Sequence, residues 1–356
     1  MNSERKNKRG PTIEDVAREA RVSQTTVSYV LSNSVHALRI SSATKERILA
    51  AARRLGYSRN YIGAALQRGY STAIVILVVT WDLAAGHTRT IAATSQAAAA
   101  YGLHTIVHVA ESDAEANRFL QDLPSLLPYG LLLLWDSLAV PVDLLHEYQA
   151  LGLPIVDLMP LSPGGFISIT ANREMAGYLS TRHLLQMGHR KIAMMLDTHS
   201  RWRTSNHKMA GYCRALEEAG IDFDETLLEE ATSFGFDAGR DGLPHLLARR
   251  PDVTAVICIN DPMALGVLAG AQNVGIRVPD DLSVIGYAAT QEGTYFKPYI
   301  TSVAVDSVKI AKDAVRTLVR LREGDQTIPK EFYEPVELIV RESTAPPRSQ
   351  ELLQLG

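Results

Sequence analysis

The sequence predicts an all-α N-terminal unit of the helix-turn-helix kind, a short helical linker, and an α/β body with parallel sheets. Three observations carry this reading. Apolar side chains recur at helical spacing in three short segments between Thr12 and Leu55. From Ser71 onward, short apolar runs alternate with helical patterns, the rhythm of βαβ units. The charge divides at the same place: residues 1–70 hold 13 Lys/Arg against 5 Asp/Glu, a net of +8, so the rest of a chain of formal charge −3 carries −11. A basic arm on an acidic body is either a solvated tail or a surface that meets a polyanion.

The first helix is expected over TIEDVAREA (12–20), where Ile13, Val16, Ala17 and Ala20 share one face. Thr12 stands in the cap position before Glu14 and Asp15, acids that suit a first turn. Arg21-Val22 breaks the pattern, and Ser23 caps a second helix, QTTVSYVL. There Val27, Val30 and Leu31 face inward, leaving Gln24, Thr25, Ser28 and Tyr29 outside. Ser, Thr and Val are mediocre helix formers, so the hydroxyls of VSQTTVSYVL need a reason other than helix stability. Two short helices joined by a tight turn supply it. The second can enter a major groove, where short polar side chains reach base edges and phosphates. A third helix is expected from Ser42 to about Leu55, with Ile48, Leu49, Ala52 and Leu55 as its inner face.

In the body, AIVILVV (73–79) leads to a helix ending near Tyr101, and HTIVHVA, GLLLLW, LPIVDL and SISI follow with helices between. KIAMML, TAVICIN, LSVIGYA and ITSVAV continue the pattern. About 270 residues of it divide more readily into two lobes than one, with a ligand cleft at the strand C-termini. The apolar runs are too short to span a bilayer, so no membrane association is expected. The polar, basic start MNSERKNKRG has no apolar run behind it, so no secretory signal is expected. With two cysteines, Cys213 and Cys258, no disulfide framework is expected, and a cytoplasmic, nucleoid-associated location fits.

The elements T-I-x-D-V-A, V-S-x-x-T-V-S and L-G-Y-x-x-N occur in order in TIEDVAREARVSQTTVSYVLSNS and ISSATKERILAAARRLGYSRN. On them the chain resembles the DNA-binding headpiece of the LacI/GalR family of bacterial transcription regulators. The resemblance implies that Gln24 and Thr25 read bases, joined by Tyr29 where the family often has Arg or His. Ser23, Thr26 and Ser28 would contact backbone or bases nearby, and Thr12, Asn33, Tyr57 and Asn60 would complete the DNA-binding set. NYIGAALQ (60–67) matches the family's hinge helix. In it Leu66 either wedges into the minor groove at the operator centre, kinking the duplex, or covers the body. Three departures stand out: Arg21 replaces a turn glycine, Arg59 replaces a proline, and Gly63 costs the hinge about 1 kcal/mol relative to Ala.

The resemblance continues through HLLQMGHRKIA (183–193), TAVICINDPMALG (254–266), VPDDLSVIGY (278–287) and RESTAPP (341–347). These match the family's effector-binding core, which is similar to periplasmic sugar-binding proteins: two lobes, three crossovers, ligand between. The implied division is a headpiece over 1–58, a hinge helix and linker over 59–71, a core over 72–345 and a short tail over 346–356. Within the core, one lobe takes about 72–167 and 304–331, the other about 168–303 and 332–345.

The same resemblance places effector contacts. Lys208 occupies the position of a frequent effector-binding arginine, with Trp202 and Thr204 in the loop before it. As a point charge, Lys208 is less suited than Arg to bidentate clamping. Phe234 either stacks on the ligand or fills the core. Asn260 either hydrogen-bonds the effector or, with Asp261, caps the helix that follows. Trp81-Asp82 and Trp135-Asp136 end strands, and strand ends face the cleft in this architecture. Ala288, followed by Ala289, stands where many relatives carry Asp-Asp, and Ala171 replaces a usual aspartate before Asn172. Losing such acceptors leaves a sugar hydroxyl unpaired, at about 1–3 kcal/mol, so the effector is either less polyhydroxylated or met by Asp82 and Asp136.

No catalytic chemistry is expected. His183, His189, His199 and His207 show no HExxH or paired Cys/His spacing, and there is no GxSxG elbow or Walker-type loop. No cofactor and no metal are expected. A stand-alone sugar-binding protein would lack residues 1–70 and carry an export signal, and an RNA reader would present an aromatic sheet platform. The expected partners are double-stranded operator DNA, a sugar or related metabolite as effector, and a second copy, since two headpieces are needed to read a palindrome. PPRSQELLQLG is too short for a stable coiled coil, so a homodimer is expected rather than a tetramer.

Overall fold

The computed structural model describes residues 11–31, 39–57, 61–79, 85–135, 141–159, 165–197, 204–231, 233 and 235–348. Two compact units meet at Ser71, one over 1–71 and one over 72–356.

The first unit holds α1 (Ile13–Ala20), α2 (Gln24–Leu31), α3 (Ser42–Leu55) and α4 (Tyr61–Arg68). A reciprocal cap starts α1: the Thr12 hydroxyl accepts from Asp15 N at 3.3 Å while the Asp15 carboxylate accepts from Thr12 N at 2.9 Å. Arg21 closes α1 in the left-handed conformation, φ 55 and ψ 50, so the turn keeps its shape without glycine. Ser23 Oγ accepts from Thr26 N at 3.1 Å to open α2. Val16, Ala17, Ala20, Val27, Ile48, Ala51 and Ala52 make the small core. Arg47 Nε reaches Ala20 O at 2.9 Å, tying α3 to the end of α1. Leu49, expected inside, is 43% exposed. The inner face of α3 runs Ile48, Ala51, Ala52 and Leu55, and Leu49 lies about 100° round the helix from Ile48.

The second unit holds two six-stranded sheets. In chain order the strands are β1 (Ala73–Val79), β2 (His104–Ala110), β3 (Gly130–Trp135), β4 (Ile155–Asp157), β5 (Ile167–Ala171), β6 (Ile192–Asp197), β7 (Leu228–Ala231), β8 (Ala255–Cys258), β9 (Ser283–Ala288), β10 (Thr301–Ala304), β11 (Glu331–Glu334) and β12 (Glu337–Ile339). The first sheet has the order β11-β5-β4-β3-β1-β2 and the second β12-β10-β9-β8-β6-β7. Pairing is parallel except between β10 and β12. Helices α5 (Ala85–Ala99), α6 (Asp113–Asp122), α7 (Val142–Ala150) and α12 (Ser307–Arg322) belong with the first sheet. Helices α8 (Arg173–Gln186), α9 (Thr204–Glu218), α10 (Phe236–Arg249) and α11 (Asp261–Asn273) belong with the second.

Helices on both faces explain why the central strands read as unbroken apolar runs. Leu131, Leu133 and Trp135 of β3 point to the side of α6 and α7, while Leu132 and Leu134 point to the side of α5 and α12. In the second lobe, α8 and α9 pack backbone to backbone: a Cβ on Gly177 would meet Lys208 O at 1.9 Å, and one on Gly211 would meet Glu174 O at 1.9 Å.

The chain crosses between lobes three times, and the register corrects the expected boundaries. Ile167 to Ala171 pairs with β4 and β11 in the first sheet, so the first crossing follows Ala171 rather than Ile167. Ala304 belongs to the second sheet, which puts the second crossing between Ala304 and Ser307. The third follows Glu334, because β11 lies wholly in the first sheet. Among the described residues no helix is long and apolar enough to cross a membrane.

Candidate DNA-reading face and interlobe cleft

On α2 the side chains of Gln24, Thr25 and Ser28 are exposed, with Tyr29 half-buried beside them, while Val27 anchors the helix to the core. Ser23 and Thr26 are already engaged with each other, their hydroxyls 2.8 Å apart at the start of α2. Thr12 has the same duty at α1. These three serve the caps first, and any phosphate they meet lies at a helix N-terminus, where backbone N–H groups favour an anion. Tyr57 packs against the headpiece core just beyond Gly56, which ends α3 at φ 65. On α4, Ala65 is buried and Leu66 is 69% exposed. Asn33 and Asn60 lie outside the described residues.

In the body, the C-terminal end of β5, the first turn of α8, α9 and β11 surround a cavity of about 240 Å³ lined by Thr170 to Glu174, His207 and Tyr333. Lys208 is buried at the adjacent position of α9. Its Nζ donates to Ile259 O at 2.6 Å and sits 3.4 Å from the centre of the Tyr287 ring, joining the ends of β8 and β9. Asn260 caps α11, its Oδ1 accepting from Met263 N at 2.8 Å. The first residue of that helix, Asp261, is fully buried. Its carboxylate accepts from Ser302 Oγ at 2.6 Å and Thr290 N at 2.5 Å, and Ser302 Oγ accepts in turn from Ala289 N at 3.0 Å. This network holds two alanines in left-handed backbone, Ala288 at φ 88 and Ala289 at φ 45, where non-glycine residues are strained. Burial pushes the Asp261 carboxyl up to about 6, although the hydrogen bonds from Ser302 and Thr290 and the charge of Arg341 oppose it.

Trp135 does not face the cleft as expected. The alternation along β3 turns it to the same side as Leu131 and Leu133, where it is fully buried and donates from Nε1 to Asp113 Oδ1 at 2.6 Å. Trp81, Asp82, Asp136, Trp202 and Phe234 lie outside the described residues. So does the side chain of Thr204, which opens α9. The expectation missed two groups. Asp261 was read only as a cap beside Asn260, and Arg173, a buried cation in the first turn of α8, gave no signal because its surroundings come from distant segments.

His189 and the two thiols have structural surroundings. His189 is buried with Nδ1 2.8 Å from Thr254 Oγ1 and Nε2 2.9 Å from Ala345 O, which pins the C-terminal segment to the second lobe. Donation to that carbonyl fixes the neutral tautomer, and burial lowers the ring's pKa. Cys258 is buried in β8, and burial pushes its thiol up, as it does for Cys213. Among the described residues no cluster of His, Cys, Asp and Glu is placed to hold a metal ion.

Comparison with known proteins accords with both modules. Residues 12–60 match the family model for bacterial regulatory proteins of the lacI family, and residues 181–344 match the periplasmic binding protein-like domain. The chain is 30% identical over 335 residues to the HTH-type transcriptional repressor PurR of Photobacterium profundum, covering 93% of this chain and 98% of that one. It is 31% identical over 336 residues to the PurR of Vibrio atlanticus, covering 94% and 98%. Among solved structures, the complex of the transcriptional regulator CelR with cellobiose superimposes with a TM-score of 0.71 at 28% identity, covering 94% of this chain and 99% of that one. The lac repressor dimer bound to operator and the anti-inducer ONPF superimposes at 0.79 and 24% identity, covering 95% and 100%, which speaks to the fold alone. The PurR match covers nearly the whole chain, and the lacI-family model spans α1 to α3; on that basis the chain belongs to the LacI family: it is a DNA-binding transcriptional regulator with a ligand-binding domain.

Proposed function

We propose that the chain represses transcription as a twofold-symmetric dimer that reads a palindromic operator, under allosteric control by a small metabolite held between the lobes. The observation that carries the reading is the outer face of α2. Gln24, Thr25 and Ser28 are exposed there on a helix whose other side is locked to a core, within a unit that carries the chain's positive charge. Gln24, Thr25 and Tyr29 read bases; Ser23, Thr26 and Ser28 contact backbone or bases nearby; Thr12, Asn33, Asn60 and Tyr57 complete the contact surface, and Leu66 enters the minor groove.

The dimer is supported by the outer edge of the first sheet. Ile106, Val107 and Val109 of β2 are 39–40% exposed, and an apolar edge strand calls for a cover. Effector contacts fall to Asp82, Trp81, Asp136, Trp202, Thr204, Phe234 and Lys208, with Ala288 and Asn260 at the strand ends. Ligand shifts the balance between two lobe arrangements and with it the operator affinity. A nucleoid-associated, cytoplasmic location follows from that role.

The test is selection of random duplex DNA by the purified chain at a stated near-physiological salt, because phosphate contacts make affinity salt-dependent. A palindrome with a flexible central step is expected, and Gln24→Ala should relax the preference at one position in each half-site. Unchanged selectivity in that variant would remove Gln24 from the base-reading set.

A further inference from the structure

We infer that the effector is an anion, a small metabolite bearing a carboxylate or phosphate group, and that Arg173 at the start of α8 is its principal contact. The inference rests on the effector-controlled reading above and names the ligand class for that cleft.

Arg173 is 8% exposed and lines the cavity. Its Nη1 donates to Thr170 Oγ1 at 2.8 Å, Nη2 lies 2.9 Å from the thioether of Met159, and the guanidinium also hydrogen-bonds the neutral Tyr287 hydroxyl. The Nε–H is buried and finds no acceptor among the described residues. A guanidinium stays charged at any working pH, so a permanent positive charge is held out of water among neutral partners. Among the described residues no carboxylate lies within ion-pairing distance of it. Glu174 lines the same cavity, but its carboxylate is taken by Arg214. The Tyr333 hydroxyl is bonded to Glu331 at 3.0 Å. Desolvating an unpaired charge is among the costliest arrangements in a protein interior unless a counter-charge arrives.

The surroundings reinforce the sign. Arg173 is the first residue of a fourteen-residue helix, whose N-terminal end carries partial positive charge. Tyr287, beside Arg173, has the Lys208 ammonium over its ring, so a second cation stands close by. The strand ends at Ala171 and Ala288 contribute no carboxylate. A polyol hydroxyl can also accept from the Nε–H, but it brings no counter-charge for the buried guanidinium. A carboxylate or phosphate supplies the acceptor for Nε and matches the planar guanidinium, giving charge-assisted hydrogen bonds of the strong kind.

The experiment titrates the full chain by calorimetry and thermal melting with a matched panel: glucose, gluconate, glucose 6-phosphate and inorganic phosphate, extended to other sugar acids, sugar phosphates and their neutral parents. The expected result is that anionic members bind at least ten times more tightly than their neutral parents. That preference should shrink with added salt and fall at least tenfold in Arg173→Gln, with partial recovery in Arg173→Lys. The gluconate and glucose 6-phosphate arms separate carboxylate from phosphate. A neutral parent that binds as well as its anion, with or without Arg173→Gln, overturns the anion assignment and leaves effector control standing. If no member of either class binds, both readings fall. Should Arg173→Gln not fold, as judged by circular dichroism, the wild-type panel decides alone.

Discussion

At the scale of single residues, the turn between α1 and α2 shows a local cost accepted by the fold. Arg21 occupies left-handed backbone at φ 55, where a Cβ costs roughly 1–2 kcal/mol. Its side chain is exposed, so replacing it removes no packing. Arg21→Gly should therefore stabilise the N-terminal unit by about 1 kcal/mol, less the extra freedom glycine gives the unfolded chain. In a unit this small that raises the melting temperature by several degrees, readable as the headpiece transition in calorimetry. A lower melting temperature would mean that the Arg21 side chain has a partner the backbone argument ignores. Asp261 makes the opposite kind of prediction, one about pH. Its carboxyl is raised to about 6 from an ordinary value near 3.8, so the native state binds more protons than the unfolded state between those values. Its contribution is fully present below the lower value and is lost as pH rises through 6, by on the order of 2–3 kcal/mol. His189 acts in the reverse sense: burial lowers its pKa, so its contribution is present above the ordinary histidine value and lost as pH falls. The informative quantity is thus the difference between wild type and Asp261→Asn. That difference should move against the wild type as pH rises from 5 to 7.5, and parallel curves would show that the buried carboxyl titrates normally.

At the scale of elements, α4 separates folding from recognition. Leu66 is exposed, so Leu66→Ala removes little from the folded chain. It should nevertheless weaken operator binding tenfold or more and leave binding to non-specific DNA nearly unchanged, because only the specific complex inserts an apolar wedge at a base step. Equal losses on both kinds of DNA, measured at one salt concentration, would exclude the wedge. Elements also show what the sequence made legible. The central strands β1, β3, β6, β8, β9 and β10 were readable because helices cover both faces and most of their positions are apolar. The edge strands β7 (LEEA), β11 (EFYE) and β12 (ELI) were not, since one side of each meets solvent and their pairing is fixed by segments far along the chain. The caps Thr12, Ser23 and Asn260 were legible, because a cap is a contact over three residues. Arg173 was passed over and Trp135 misplaced because their surroundings are not local. What surrounds Arg173 comes from β4, β5 and β9, and what covers Trp135 comes from α6, neither of which local spacing encodes.

At the scale of the whole molecule, the division of charge and the uncovered edge of β2 answer to the same requirement. A single basic unit of net charge +8 can hold phosphates, but one helix-turn-helix reads only a half-site, and affinity for a full operator comes from linking two of them. Linking makes the second contact intramolecular and raises affinity by about 10²–10⁴ without any new contact. In the proposed mechanism the body, at −11, pairs the copies and answers the ligand. Val107 lies in the middle of the exposed apolar run of β2, so Val107→Lys places a charge where a second copy would bury it. The variant should sediment as a monomer at concentrations where the wild type is a dimer, and its operator affinity should fall by the linkage factor. Its affinity for an isolated half-site should remain, because each headpiece folds around its own core. A Val107→Lys chain that stays dimeric and keeps full operator affinity would move the dimer interface to another face.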